Sequence, residues 1–351
     1  MTNSENLTKE KNIKNTARIS SVHRDDDYRA FLNNKEIICR LPGNFYARND
    51  YGENLPAVGD YVIVDENRII TEILPRKNTI ARKSSGSIKS KDQIIAANID
   101  LAFIVTSLNQ EFNPRRIERY LAFLDFWGVE SCLILTKSDL CSDEDLKTFL
   151  KSTEEFSIAH KPIITSIINQ DGKNGLDEIA KLLTPEKTAV FMGMSEVGKS
   201  SIINYLLDEN IQEISETSDY MDKGRHTTTH RKLFIMKNNA AIIDSPGMRE
   251  LAFGSGFGEL SSSFDDIETL AANCKFRDCR HRSEPECAVQ AAIKRGLLNA
   301  DRLNSWRKMH REVRNAQHRD RIKEKSMNKN RAKHQISKSK RFSRGKVNVE
   351  V

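Results

Sequence analysis

The chain has 351 residues, 38% hydrophobic and 30% charged, with 56 Lys/Arg against 49 Asp/Glu. That length calls for two or three compact domains. No run of 18 apolar residues exists, which argues against a membrane-spanning helix, and the polar opening MTNSENLTKEKNIKN lacks the apolar stretch of a secretory signal. The net charge of +7 hides a division: residues 294–346 hold 19 Lys/Arg and 4 Asp/Glu, a balance of +15, and the remainder carries −8. A mildly acidic body with a basic end suits a polyanionic partner.

In chain order, residues 1–15 read as a disordered leader. Residues 16–83 hold short strands between turn signals: TARISSV, EIICRL (36–41), VGDYVIV (58–64) and RIITEIL (68–74). Their spacing predicts a small barrel, with a five-stranded oligonucleotide-binding (OB) type favoured over a generic β-domain. A small, polar linker covers 84–94. Then the grammar changes to continuous apolar strands alternating with helices: strand 101–106, helix 114–126, strand 132–136, helix 147–155, strand 162–165, helix 175–183, strand 188–192, and strands at 233–236 and 240–244. This predicts a parallel α/β sheet over 95–257. Helices and coil follow, with a helical module over 258–319 and a basic tail, 320–351, that is low in apolar residues and expected to be disordered when free.

The chemistry sits at the strand ends. Gly193-Met194-Ser195-Glu196-Val197-Gly198-Lys199-Ser200 fits G-x-x-x-x-G-K-[ST] between a strand and a helix that continues through Ser201. Backbone N–H groups of such a loop cradle phosphates, Lys199 neutralises the β/γ oxygens, and the Ser200 hydroxyl ligates Mg²⁺. Asp244-Ser245-Pro246-Gly247 is D-x-x-G after the last strand; Asp244 would reach Mg²⁺ through water and the Gly247 N–H would sense a γ-phosphate. Thr136-Lys137-Ser138-Asp139 ends the second strand. One carboxylate accepts both N1–H and N2–H₂ of guanine, so Asp139 would select GTP over ATP, with Lys137 packed across the base. Thr136 stands where Asn is more usual. Thr165-Ser166 would bring a backbone N–H to guanine O6. In the polar run Gly224-Arg225-His226-Thr227-Thr228-Thr229-His230, Thr228 is the choice for a switch hydroxyl completing the Mg²⁺ shell, with Thr227 and Thr229 as close alternatives. The order is base motif, base loop, phosphate loop, switch, D-x-x-G. Ordinary GTPases begin with the phosphate loop, so the domain reads as circularly permuted, with 174–187 bridging the original termini.

Three of the six cysteines crowd into 14 residues as Cys274-x4-Cys279-x-His281-x5-Cys287. Three thiolates and an imidazole suit one closed, structural Zn²⁺ site. Cys39, Cys132 and Cys141 lie in or beside apolar strands, which suggests buried packing. So few cysteines imply a reducing, cytoplasmic compartment. The basic end reads as a nucleic-acid contact driven by counterion release, or as a solvated charged helix.

The motifs TKSD, GMSEVGKSS, GRHTTTH, DSPGMREL and CKFRDCRHRSEPEC, in this order, resemble the ribosome small-subunit-dependent GTPase A family (RsgA/YjeQ). The segments VGDYVIV, EILPRKNTIAR and AANIDLAFIV are similar to it too. The resemblance implies an OB-like barrel, a permuted P-loop GTPase domain and a zinc module facing 16S rRNA. It implies a late assembly factor of the 30S subunit whose hydrolysis of GTP to GDP is stimulated by that subunit, and it points to His226 as the water-positioning group. A monomer is expected. Glu196 departs from the family, which usually has Gly there. Met248 replaces the Gln of many GTPases, as is the family habit. The competing reading is an RNA-binding assembly scaffold whose nucleotide site is impaired or purely structural.

Overall fold

A computed structural model describes residues 15–23, 27–43, 55–83, 92–109, 112–154, 156, 160–168, 175–207, 231–244 and 262–345. The first five strands are β1 (Thr16–Val22), β2 (Asp27–Leu32), β3 (Lys35–Arg40), β4 (Tyr61–Val64) and β5 (Ile70–Ile73). β1 pairs antiparallel with β2 on one edge and β4 on the other, β2 continues to β3, and β4 to β5. A parallel bridge between Arg40 and Ile69 brings the end of β3 to the start of β5, and the Arg40 N–H donates to the Arg68 carbonyl at 3.1 Å. The pairing therefore closes on itself. Inside lie Ala17, Ile19, Tyr28, Ala30, Cys39, Val62, Val64 and Ile70, while Arg29 between Tyr28 and Ala30 points outward, the two-residue alternation of a sheet with one covered face.

The closed unit ends sooner than residue 83. Strand β6 (Thr79–Lys83) leaves it and pairs with β7 (Asp92–Ala97) as a separate two-stranded ribbon. β7 thus begins inside the stretch read as linker, of which 84–91 lie outside the described residues. The reason is apolar: Ile80, Ile95 and Ala96 join the core beneath the neighbouring α/β layer rather than the barrel interior.

That layer contains β8 (Leu101–Ser107), β9 (Glu130–Thr136), β10 (Ile163–Ile164), β11 (Thr188–Met192), β12 (Lys232–Ile235) and β13 (Ala241–Asp244), in the order β10-β9-β8-β11-β13-β12. Its helices are α1 (Pro114–Phe126), α2 (Asp143–Thr153), α3 (Leu176–Leu182) and α4 (Lys199–Leu207). Five strands are parallel, but β12 runs antiparallel to β13. This corrects the all-parallel reading: residues 236–240 make a tight turn with no room for a crossover helix. Leu101, Phe103, Ala189, Phe191 and Ile242 pack with Ile179 of α3 and Ile202 of α4, while Ala102, Ile104, Val190 and Ile243 pack on the side of Leu121 and Phe123 from α1. Cover on both faces is why these strands read as unbroken apolar runs. Helix α1 starts where Asn113 accepts from the N–H groups of Arg115 and Arg116 with Pro114 in the first turn. Ser142 caps α2 through the Asp145 N–H, four residues before the expected start.

β1 also pairs with β12, Ser21 opposite Lys232, so the barrel and the α/β layer share one eleven-stranded sheet. Beyond it lie α5 (Asp265–Ala271), α6 (Ala288–Lys294) and α7 (Ala300–Gly345). Helix α7 overturns the expectation of a coil from 320 onward. No Pro or Gly interrupts residues 300–344, and 16 of those 45 residues are Lys or Arg, whose unbranched side chains lose little on entering a helix. No described helix is long and apolar enough to cross a membrane.

Candidate nucleotide and metal sites

The residues singled out at strand ends converge at the carboxyl edge of the α/β sheet. The loop 193–198 joins β11 to α4. Gly193 begins it at φ +154°, and a Cβ there would lie 2.3 Å from the Val105 carbonyl oxygen of β8, so only glycine lets the loop pass so close. Gly198 (φ +95°) turns the chain into α4. Lys199, 7% exposed, folds back over the loop: its Nζ donates to the Gly193 carbonyl at 3.1 Å and also to the Met194 carbonyl. Burial pushes the Lys199 ammonium below its ordinary value, and the opposing charge of Asp244 offsets part of this. Asp244, at the end of β13 beside Phe191 of β11, is pushed up by burial and held down by Lys199. Ser195, Glu196, Ser200 and Ser201 are exposed and Val197 is buried.

The base side is tied to this loop. Thr136 closes β9, is buried, and its hydroxyl donates to the Val197 carbonyl at 2.6 Å; the Thr106 carbonyl lies at 3.2 Å. The hydroxyl thus bridges the strand that carries the base motif to the phosphate loop. Lys137 then takes a left-handed turn (φ +58°) into the 3₁₀ turn Ser138–Leu140, which carries Asp139. Ser166 donates its hydroxyl to Asp139 Oδ1 at 2.5 Å and accepts from the Ile168 N–H at 3.2 Å. The Ser138 N–H donates to the Thr165 carbonyl at 3.3 Å. Thr165 and Ser166 are both buried. The side-chain bond from Ser166 to Asp139 was not legible in the sequence, where only a backbone contact was expected of this loop. His226, Thr228 with the rest of 224–230, and Gly247 lie outside the described residues.

The second site is the Cys274, Cys279, His281, Cys287 cluster, whose ligand atoms all lie within 4.8 Å of one another. The three cysteines are free thiols. His281 Nδ1 is 3.5 Å from both Cys274 Sγ and Cys287 Sγ, and these sulfurs are 3.8 Å apart. A tetrahedral ion with bonds of about 2.3 Å to sulfur and about 2.0 Å to nitrogen sets its ligands about 3.8 Å and about 3.5 Å apart, so the cluster fits Zn²⁺. Burial raises the Cys274 thiol, but the N–H groups of Val289 and Ala288 at the start of α6, with the neighbouring thiols, bring it below its ordinary value. The His281 carbonyl, at a left-handed residue (φ +57°), accepts from Gln290 Nε2 and from an Arg307 guanidinium N–H. Trp306 packs against His281 and His310 and donates to Glu268 at 2.9 Å, so it is part of this packing rather than a free stacking surface. Cys39 and Cys132 are fully buried, which raises their thiols to about 11 and about 12. Cys141 is only partly buried, but it packs against the same core as α1 and β9.

No local pattern announced what joins the two sites. Arg302, on the first turn of α7, bonds Asp266 of α5 through two donors at 2.7 and 2.8 Å, Glu118 of α1 at 2.8 Å and the Ser263 carbonyl at 2.8 Å. Arg119 adds a two-pronged pair to Glu312 on α7.

A phosphate loop that follows the base-recognition strands in chain order, on one α/β sheet, defines a circularly permuted P-loop GTPase. The family model described as RsgA GTPase matches residues 73–254, and a relative named small ribosomal subunit biogenesis GTPase RsgA 1, from Listeria innocua, is 40% identical over 84% of this chain and 83% of its own length. The chain belongs to the RsgA GTPase family. The RsgA protein of Xylella fastidiosa (strain 9a5c) is 41% identical over 73% of each chain. Among solved structures, YloQ, titled a circularly permuted GTPase, aligns with TM-score 0.56 at 27% identity over 86% of this chain and 95% of its own. YjeQ from Thermotoga maritima shares the fold, with TM-score 0.59 at 24% identity over 85% and 98%.

Proposed function

We propose that this chain is a maturation factor of the small (30S) ribosomal subunit that binds 16S rRNA and hydrolyses GTP to GDP and phosphate to time its release. The observation that carries the reading is the convergence of Asp139, Lys199 and Asp244 on one sheet edge, where Thr136 bonds the base strand to the phosphate loop, in a chain whose relatives bear the ribosomal name. In this reading the backbone of 193–201 and Lys199 hold the phosphates, Asp139 accepts guanine N1–H and N2–H₂ with Ser166 orienting it, and Lys137 covers the base. Ser200 and Thr228 would hold Mg²⁺, with Asp244 one water away; the ion, when bound, neutralises phosphate charge. Gly247 senses the γ-phosphate and His226 positions the attacking water. Cys274, Cys279, His281 and Cys287 hold one structural Zn²⁺. The closed five-strand unit is an OB-type barrel, and it, the zinc module and the basic α7 face rRNA. The protein acts in the cytoplasm as a monomer.

The test is GTP turnover with and without purified 30S subunits, for the wild type and for His226→Ala. Slow intrinsic turnover that rises at least tenfold with subunits, and is lost in the variant while GTP still binds, is the expected result. Turnover indifferent to subunits would leave the RNA-binding scaffold as the better account.

A further inference from the structure

The phosphate loop carries a carboxylate at its tip. Glu196 is exposed and stands at φ +66°, the left-handed region that glycine enters freely and other residues enter at a cost. It makes no hydrogen bond or ion pair with the described residues. The loop is pinned on both sides of it: Gly193 lies against the Val105 carbonyl, and the Val197 carbonyl receives the Thr136 hydroxyl. Lys199, the loop's own cation, is turned inward onto the Gly193 and Met194 carbonyls and is nearly buried, so it does not pair with Glu196. The backbone that carries Glu196 cannot move away from the loop without breaking one of these anchors.

We propose that Glu196 is a specificity-determining residue that weakens nucleotide binding in proportion to phosphate charge, lowering the affinity for GTP more than that for GDP and hastening nucleotide release. The proposal rests on the reading of 193–200 as the phosphate site. Its physical basis is Coulomb repulsion: GTP brings one more ionised phosphoryl group to the loop than GDP, and an exposed carboxylate acts on it through solvent, where the interaction is modest and salt-dependent. The residue is therefore a regulator of occupancy within the site, not a participant in hydrolysis.

The experiment measures GTP and GDP affinities and release rates on the full chain at about 0.05 M and about 0.5 M salt, where screening lengths differ severalfold. Glu196→Gln keeps the side-chain size and the left-handed backbone but removes the charge. It should tighten GTP by on the order of tenfold at low salt, tighten GDP by less, and lose most of that gain at high salt. Glu196→Asp should behave as wild type, and Glu196→Gly should reproduce the gain while raising the melting temperature of the nucleotide-free protein. No change in Glu196→Gln, or an equal gain for both nucleotides at both salt levels, overturns the proposal. Lys199→Ala separates it from the underlying reading. Retained GTP binding in that variant sinks the phosphate site itself, whereas lost binding beside an indifferent Glu196→Gln sinks only the charge effect.

Discussion

The nucleotide edge and the Cys₃His cluster are both built from loops, yet they are held in opposite ways. The loop 193–198 hangs between β11, every residue of which is buried, and a helix packed on the same sheet. Its geometry is set by hydrophobic layers and by the Thr136 and Val105 contacts. Between 272 and 286, by contrast, only His281 is buried. That segment buries little else, and a metal held by the four candidate ligands would do the work that apolar packing does elsewhere. A binding site on a sheet edge is separable from the stability of the fold, whereas a metal bound where there is little core would be part of that stability.

Metal removal is the strongest way to break the comparison. Stripping Zn²⁺ with a chelator should abolish amide-exchange protection across 272–287 and leave β8, β9 and β11 protected, because metal ligation in such modules contributes on the order of 10 kcal/mol of folding free energy. Uniform loss of protection in both regions would show that the sheet edge also depends on the cluster, and elemental analysis should find one zinc per chain beforehand. Next in size is Arg302→Ala. It leaves Glu118, 2% exposed, with Arg115 as its remaining ion-pair partner, which should cost about 1–3 kcal/mol in chemical denaturation and loosen α7 from α1. A loss confined to the mobility of α7, without any drop in global stability, would mean the two regions fold independently. The smallest expected effect is that of Thr136→Val, nearly isosteric but without the hydroxyl. It orphans the Val197 carbonyl at a cost of about 1–2 kcal/mol, and it should raise the KM for GTP severalfold while leaving protection at 272–287 unchanged. An unaltered KM would make the bond between β9 and the phosphate loop incidental.

Much of this was legible in the chain because the chemistry is local. Helix α1 and strand β11 lie where periodicity places them, since Asn113-Pro114 opens the helix and the TAVFM run is covered on both faces. The phosphate loop, the TKSD turn and the cysteine spacing stand out in the sequence, because each needs particular backbone freedom or donor atoms within a few residues. Strand β2 was missed: DYRAFL is short, and only Tyr28 and Ala30 of it are buried, against partners on β1 and β3. β6 and β7 were taken for barrel and linker because a two-stranded ribbon has no signature until its apolar side finds a surface. The extent of α7 was underestimated because a charged, Ser- and Asn-containing stretch has the composition of coil, although nothing in it breaks a helix.

Composition alone separated an acidic body from a basic end, and the motifs alone gave the permuted order and picked out the four Cys and His residues that the fold brings together. The tertiary structure decided where that end begins and what it rests on. Arg302 meets Glu118 across 184 residues of chain, Ser21 meets Lys232 across the barrel–sheet junction, and the Arg307 side chain reaches the His281 carbonyl. Such contacts leave no periodicity in the sequence, since each is a single pair whose partners meet only when elements far apart in the chain pack together. The basic end is therefore a helix seated by its first turns on both helix α1 and the cysteine–histidine segment, and not a loose charge appended to them.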